Sequence, residues 1–332
     1  NAAHLRPAPR MSYFLFKRLL TLLATLAATS VIVFAVLEVL PGNAAQVLMG
    51  PDADPAAVAA KVVELGLDRP PLARYVDWMR GLLRGDMGNS YAYGSPVAEL
   101  IAERLLLTVP LAVLAMTLTA LLALAVGVYA ASQHNRLGDT GLMALAQVGI
   151  AIPNFWFAIL LILLFSVKLQ WLSAGGFDGW YFDDGVWAGL WQGLKALILP
   201  AVALALVQAA ILARFTRSAV LEVLREDFVR TARAKGLSRR ATLWGHVLRN
   251  AMIPVITVMG LQSAELLAGT IVVESVFYLP GLGRLIFQSI ANRDLIVVRN
   301  CVMLLAAMVV VVNFIVDVLY AVIDPRVKAS EV

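Results

Sequence analysis

The chain has one cysteine, three histidines and few charged groups for its 332 residues. The cysteine, Cys301, lies inside an apolar run. An internal disulfide framework is therefore excluded, and the redox compartment is not legible. No two histidines are close together, which does not suit a zinc site. No Gly-x-x-x-x-Gly-Lys-Ser/Thr segment occurs, so nothing in the chain cradles a triphosphate. His-Glu-x-x-His and Gly-x-Ser-x-Gly are missing too, which argues against a membrane protease or esterase. Gly281-Leu-Gly283 is followed by Arg284 and opens no βαβ unit, so it is not a dinucleotide loop. Charge is the largest deficit, at 15% of residues against about 25% in soluble domains.

What fills the chain instead is apolar. Hydrophobic residues make up 61%, and the mean hydropathy is +0.81. A helix needs about 20 apolar residues to cross a bilayer. Six segments approach or reach that length: 19–40, 105–131, 140–167, 194–216, 251–273 and 301–323. The first is too long for a signal-peptide core and has no small-residue cleavage site after it, so it reads as a retained span. The ten residues before Met11 read as an extension without structural weight. The expected fold is all-α, a polytopic membrane protein with six transmembrane helices.

Basic residues set the orientation. Counted over the N-terminus to Arg18, 132–139, 214–250 and the tail from Asp324, one side carries sixteen Lys and Arg. The other side carries eleven, spread over far more residues. The positive-inside rule then places both termini and the 214–250 loop in the cytoplasm. The expected organisation is an N-terminal span (11–41), an extracytoplasmic cap (42–104), a transmembrane core (105–324) holding the loop 214–250, and a cytoplasmic tail (325–332). Within the cap, 55–65 and 72–83 read as amphipathic helices. The loop 168–193 is rich in aromatics, with Trp171, Trp180, Tyr181, Phe182, Trp187 and Trp191. It reads as an interfacial belt or as a contact surface for an outside partner.

The loop 214–250 carries nine basic and three acidic residues. On a helical wheel Phe228, Val229, Ala232 and Gly236 fall in one arc, and Glu226, Asp227, Arg230, Arg233 and Lys235 occupy the rest. So short a helix is unstable alone in water and needs a surface beneath it, lipid or protein. Gly236 ends it and Ser238 caps the next helix.

Ionisable groups inside spans are functional candidates by default. Glu38 lies near the outer end of the first span, where it can snorkel to the interface. Gln262 and Glu265, three apart, share a face with Gly269. That face reads as lining a pathway, meeting a partner helix, or holding a structural hydrogen bond. Asn313 and Asp317 share a face in the sixth span and read as packing, as does Cys301. Pro153 should kink the third span.

These residues resemble the membrane permease subunits of ATP-binding-cassette importers of the oligopeptide, dipeptide and nickel family. The loop of such permeases carries Glu-Ala-Ala, three residues, Gly, nine residues, then Ile-x-Leu-Pro. The matching positions here are Arg230-Thr231-Ala232, Gly236 and His246-Val-Leu248-Arg249. Only Ala232, Gly236 and Leu248 fit the general form. The wording Asp227-Phe-Val-Arg-Thr-Ala-Arg-Ala-Lys-Gly236, followed by His246-Val-Leu-Arg-Asn250, is similar to the peptide-type subfamily. Further matching motifs run along nearly the whole chain: Leu40-Pro41-Gly42, Leu65-Gly-Leu-Asp-Arg-Pro70, Gly85-Asp-Met-Gly-Asn-Ser90, Pro153-Asn-Phe-Trp156, Glu274-Ser-Val-Phe277, Pro280-Gly-Leu-Gly283 and Asp324-Pro-Arg326.

The resemblance implies a non-catalytic permease of the bacterial inner membrane, paired with a homologous second permease. Two cytoplasmic ATPase subunits would hold ATP and Mg, leaving this chain without a cofactor, and an extracytoplasmic solute-binding protein would deliver a solute. Peptides are the expected cargo, with nickel chelates, glutathione and oligosaccharides as alternatives within the family. The segment 227–236 would be the coupling helix, including Thr231, with Phe228, Ala232 and Gly236 toward the ATPase and the arginines as rim. His246, Leu248, Arg249 and Asn250 would support it. An ion-coupled secondary transporter is the distant rival. Against it, no clear repeat is visible and one acid, Glu265, lies well inside a span.

Overall fold

The computed structural model describes residues 11–39, 44–50, 52–177, 179–180 and 185–323. The motifs at 40–42 and 324–326, the aromatics Tyr181 and Phe182, the extension 1–10 and the tail lie outside these residues. Every regular element described is helical. In chain order they are α1 (Met11–Val39), α2 (Ala44–Met49), α3 (Pro55–Glu64), α4 (Pro71–Arg84), α5 (Val97–Ser132), α6 (Leu137–Ala151) and α7 (Asn154–Leu161), which runs on as a π turn to Lys168. Then come α8 (Val186–Val223), α9 (Asp227–Ala234), α10 (Arg239–Thr242), α11 (Leu248–Val276), α12 (Leu282–Ala291) and α13 (Leu295–Ile323). A π turn over Leu243–Val247 joins α10 to α11, so one apolar helix extends over Arg239–Val276.

Among the described residues, five helices are long and apolar enough to cross a membrane, and α6 with α7 make a sixth as a bent pair. The bend is 102°, a break rather than a kink. Its cause is local: a proline excludes the helical region for the residue before it. Ile152 is accordingly extended at ψ 124°, and Pro153 follows at ψ 136°.

The core rests on close approach of backbones. Lipid tails are as apolar as leucine, so spans associate by packing and not by exclusion of water. The buried residues of α5 recur every fourth position from Leu107 through Leu111, Ala115, Thr119, Ala123 and Gly127 to Ala131. They meet a matching small-residue row on α8, including Ala201, Ala205, Ala209 and Ala213, and this is the most extensive helix contact. A Cβ at Gly127 would lie 2.6 Å from Thr216 Cβ, so only glycine admits this approach. Beyond α8 lies α11, and α13 packs on α11 with Val316 over Gly260. Peripheral α1 leans on α13, where Arg18 pairs with Asp317 at 3.3 Å. Asp317 thus takes part in the packing of α13 on α1 through an ion pair.

The bundle has two unlike ends. At the cap end, α4 meets α1 and reaches α13, and α2 packs on α3. Trp78 Nε1 donates to Asn300 Oδ1 at 2.9 Å, and Asn300 donates on to the Met87 carbonyl. Asp294 accepts from Ser90 Oγ at 2.5 Å and from the Ala92 amide. Glu38 does not snorkel freely but pairs with Arg74 of α4. Cys301 is buried among apolar neighbours at this end, as packing requires. The aromatic loop is split: Trp180 donates to the Leu106 carbonyl at 2.8 Å, whereas Trp171, Trp187 and Trp191 stay exposed. At the opposite end, here the loop end, lie α9, α10 and the α5–α6 turn.

Candidate functional site

At the loop end, α9 is two turns long and rests on its own bundle. Glu226 enters in extended conformation, Asp227 sits in the first turn and Arg233 in the last, in the favourable sense of the helix dipole. Gly236, at φ +90°, lets the Gly236 amide bond the Arg233 carbonyl at 3.0 Å and the Leu237 amide the Ala232 carbonyl at 3.3 Å. That pair of bonds is a Schellman termination. Ser238 Oγ then accepts from the Ala241 amide and opens the next helix, as expected.

Val229 and Ala232 are 2% and 7% exposed. Val229 joins Val128, Val220, Val247 and Ala251 in one cluster. This corrects the expected face of Ala232, which points into its own bundle and is not free to meet an ATPase. The physical reason is helix length: eight residues cannot persist in water without burying an apolar edge. What remains outward is Asp227, Arg230, Thr231, Arg233 and Lys235, with Phe228 at the rim, 42% exposed. Gly236 faces open space. Leu248 packs against the same cluster from the next helix, and Asn250 Nδ2 donates to the His246 carbonyl at 2.8 Å. His246 and Arg249 are exposed.

One buried ion pair ties this end together. Arg217 of α8 grips Asp139 of α6 through two bonds of 2.6 and 2.7 Å, and the Asn135 amide and the His134 ring approach the same carboxylate. The geometry is a planar fork on a carboxylate, which fixes α6 to α8 where the chain leaves toward α9.

The middle of the bundle holds a second polar set. Gln262 Nε2 donates to the Gln208 carbonyl at 3.2 Å, and Gln208 Nε2 donates to Glu265 Oε2 at 3.4 Å. Gln208 and Gln262 are only 5% and 4% exposed, and their Oε1 atoms have no hydrogen-bond partner among the described residues. Gly269, one turn beyond Glu265, lies against Leu204 and the Asn154 side chain. The expected face of Gln262, Glu265 and Gly269 thus gathers Gln208 from α8 and Asn154 from the break of the third span. Glu265 itself is exposed and stands in a row with Leu261, Ala268 and Val272 that is left uncovered among the described residues. A carboxylate on such a row does not face hydrocarbon, because an unpaired charge at membrane depth costs about 2.5 kcal/mol or more. Gln208 was not singled out in the sequence; its signal was to be the one amide in the span 194–216.

A third set explains Glu274 and Pro280-Gly-Leu-Gly283. Glu274 is fully buried at the cap end of α11. Its carboxylate accepts from Thr108 Oγ1 at 2.6 Å and from the Gly283 amide at 2.7 Å, and Thr108 Oγ1 accepts from the Leu282 amide at 2.9 Å. Together they satisfy the first two amides of α12, which a helix cannot pair internally. Gly281 and Gly283 have no room for a Cβ, because the Glu274 carboxylate and the Ile271 backbone already occupy it. The motif is a latch that folds 274–283 back onto the spans.

The same sequence matches the family model described as binding-protein-dependent transport system inner membrane component over residues 123–329. The N-terminal model of such membrane components matches over 11–112. A glutathione transport system permease protein of Salmonella choleraesuis is 42% identical over 318 residues, covering 96% of this chain and 99% of its own length. A dipeptide transport system permease protein of Alkalihalophilus pseudofirmus is 38% identical over 332 residues, covering 96% and 100%. With two models covering most of its length and relatives aligned end to end, the chain belongs to the family of binding-protein-dependent transport system inner membrane components.

Proposed function

We propose that this chain forms one half of the solute pathway of an ATP-driven importer of di- and oligopeptides, with a homologous second permease forming the other half. The observation that carries this reading is the uncovered row holding Glu265. A row of apolar residues with one carboxylate, backed by two amides with unmet oxygens, suits a surface shared between a partner helix and a hydrated path. The peptide class is supported by the relatives named for dipeptide and glutathione transport. Glutathione itself is the second reading, favoured by the 42% identity of its permease.

The remaining assignments follow from charge. The loop end, with its nine basic residues in 214–250, faces the cytoplasm, and the cap faces outward to the solute-binding protein. The chain is not itself a catalyst: two ATPase subunits hold ATP and Mg and dock on the outer side of α9. Its charged rim contributes only about 0–1 kcal/mol per exposed pair, so Phe228 and the shape at Gly236 carry much of the contact.

The test is reconstitution in proteoliposomes with the second permease, both ATPases and the binding protein. ATP-dependent uptake of a labelled dipeptide is expected, and Glu265→Gln is expected to lower the uptake rate about tenfold while leaving assembly intact. Substrate-dependent uptake without any ATPase would overturn the reading.

A further inference from the structure

Two helices leave a groove of about 700 Å³ between them at the loop end. One wall is the last two turns of α5, where Leu124, Val128, Tyr129 and Ser132 line it. The other is the start of the helix Arg239–Val276, where Arg239, Arg240, Leu243, Trp244 and Leu248 line it. The first wall rises about 12 Å from Leu124 to Ser132 and the second about 14 Å from Arg239 to Leu248. The walls match in length, and the second helix leads back into the bundle as α5 leaves it.

The chemistry is graded along the groove. At its outer end stand Ser132, Arg239 and Arg240, all exposed. Tyr129 and Trp244 come next, 52% and 59% exposed, where amphipathic aromatics settle at a membrane surface. At the inner end Leu124 and Leu248 pack against the buried cluster of Val128, Val247 and Ala251. No acidic side chain lines the groove, and neither arginine has an ion pair among the described residues. One end is thus positive and uncompensated, and the rest is apolar. A water-soluble subunit cannot follow the groove inward, because its inner end lies two turns inside a span. An apolar helix would fill the inner part and leave two like charges at the rim. A molecule with an anionic head and an apolar tail answers both ends, and basic pockets between spans recognise such headgroups. The guanidinium fork suits phosphate oxygens in particular.

We propose that this groove holds an anionic phospholipid, with its phosphate on Arg239 and Arg240 and an acyl chain along Leu243, Leu248, Val128 and Leu124. Seated there, the lipid would tie the end of α5 to the helix that follows α9. The inference rests on the loop end lying at a membrane surface, and not on the cargo or on the ATPase assignment.

The experiment uses the full importer, both permeases with their ATPases, reconstituted in vesicles of equal phosphatidylglycerol and phosphatidylethanolamine. It is then extracted in mild detergent and its retained lipid read by native mass spectrometry. Phosphatidylglycerol, which carries a net negative charge, is expected to exceed the zwitterionic lipid by about tenfold. Arg239→Gln with Arg240→Gln is expected to lower that ratio several-fold, and Arg239→Lys with Arg240→Lys to keep most of it. Both arginines are exposed, so the folded chain tolerates either pair. Ser132→Cys with a photoactivated thiol label then reports what lies at the outer end, since the native Cys301 is buried. A phosphatidylglycerol adduct that the glutamine pair removes is expected. Equal retention of the two lipids, or a preference unchanged by the glutamine pair, would overturn the proposal. Labelling of the second permease or of an ATPase in place of lipid would do so too, by assigning the groove to a protein partner.

Discussion

The two ends of this bundle handle polar groups in opposite ways. At the cap end, Glu274, Asp294, Asn300 and Ser90 are buried, and each has hydrogen-bond partners within the chain. At the loop end, Arg230, Arg233, Lys235, His246 and Arg249 are exposed, and Asp139 is the buried charge, held by Arg217. The first arrangement fixes geometry, since buried polar groups that are fully satisfied specify one packing. The second leaves charge outward on a helix whose apolar edge is already spent on its own bundle. A fixed end and an end with outward charge suit the proposed role of a subunit driven from outside.

That contrast can be broken at either end, and the expected effects differ in size. Glu274→Ala leaves the Thr108 hydroxyl and the Gly283 amide unmet in a dry site, and should destabilise the chain by about 3 kcal/mol. Denaturation of the detergent-solubilised protein measures this; a loss under about 1 kcal/mol would mean that the latch is not structural. Asp139→Ala strands Arg217, which is partly exposed, and should cost about 2 kcal/mol. Adding Arg217→Met should restore part of it, and strictly additive losses would argue against a coupled pair. Gly236→Val meets no neighbour, so its cost is backbone strain at positive φ, about 1–2 kcal/mol. Faster amide exchange at Ala232 to Leu237, with reduced coupling of ATP hydrolysis to uptake, is the expected result. Arg230→Ala with Arg233→Ala should leave folding stability within about 0.5 kcal/mol, because both side chains are exposed. Its effect should be confined to stimulated ATPase activity.

Much of this was legible in the amino-acid sequence because it is local. Span count follows from apolar length, and the cap helices at Pro55–Glu64 and Pro71–Arg84 follow from turn residues and periodicity. The termination at Gly236 and the cap at Ser238 follow from residue chemistry at single positions. What was not legible depends on neighbours distant in the chain. The wheel of α9 defined an apolar arc but could not say that Val229 and Ala232 would meet Val220 and Val247. Gln208 acquires its meaning only beside Glu265, 57 positions away. Glu274 acquires its role only because its carboxylate caps α12 from the preceding span. One helix end was also missed: α8 begins at Val186, since a helix that projects beyond the bilayer loses the apolar signal that defines a span.

The most direct test of the central contrast is co-purification of the ATPase subunits with tagged permease bearing paired charge reversals at one end or the other. Arg230→Glu with Arg233→Glu, at the loop end, should abolish ATPase retention. Arg80→Glu with Arg84→Glu, on α4 of the cap, should leave it unchanged. Full retention in the loop-end variant, or loss in the cap variant, would contradict the assignment of α9 as the docking helix.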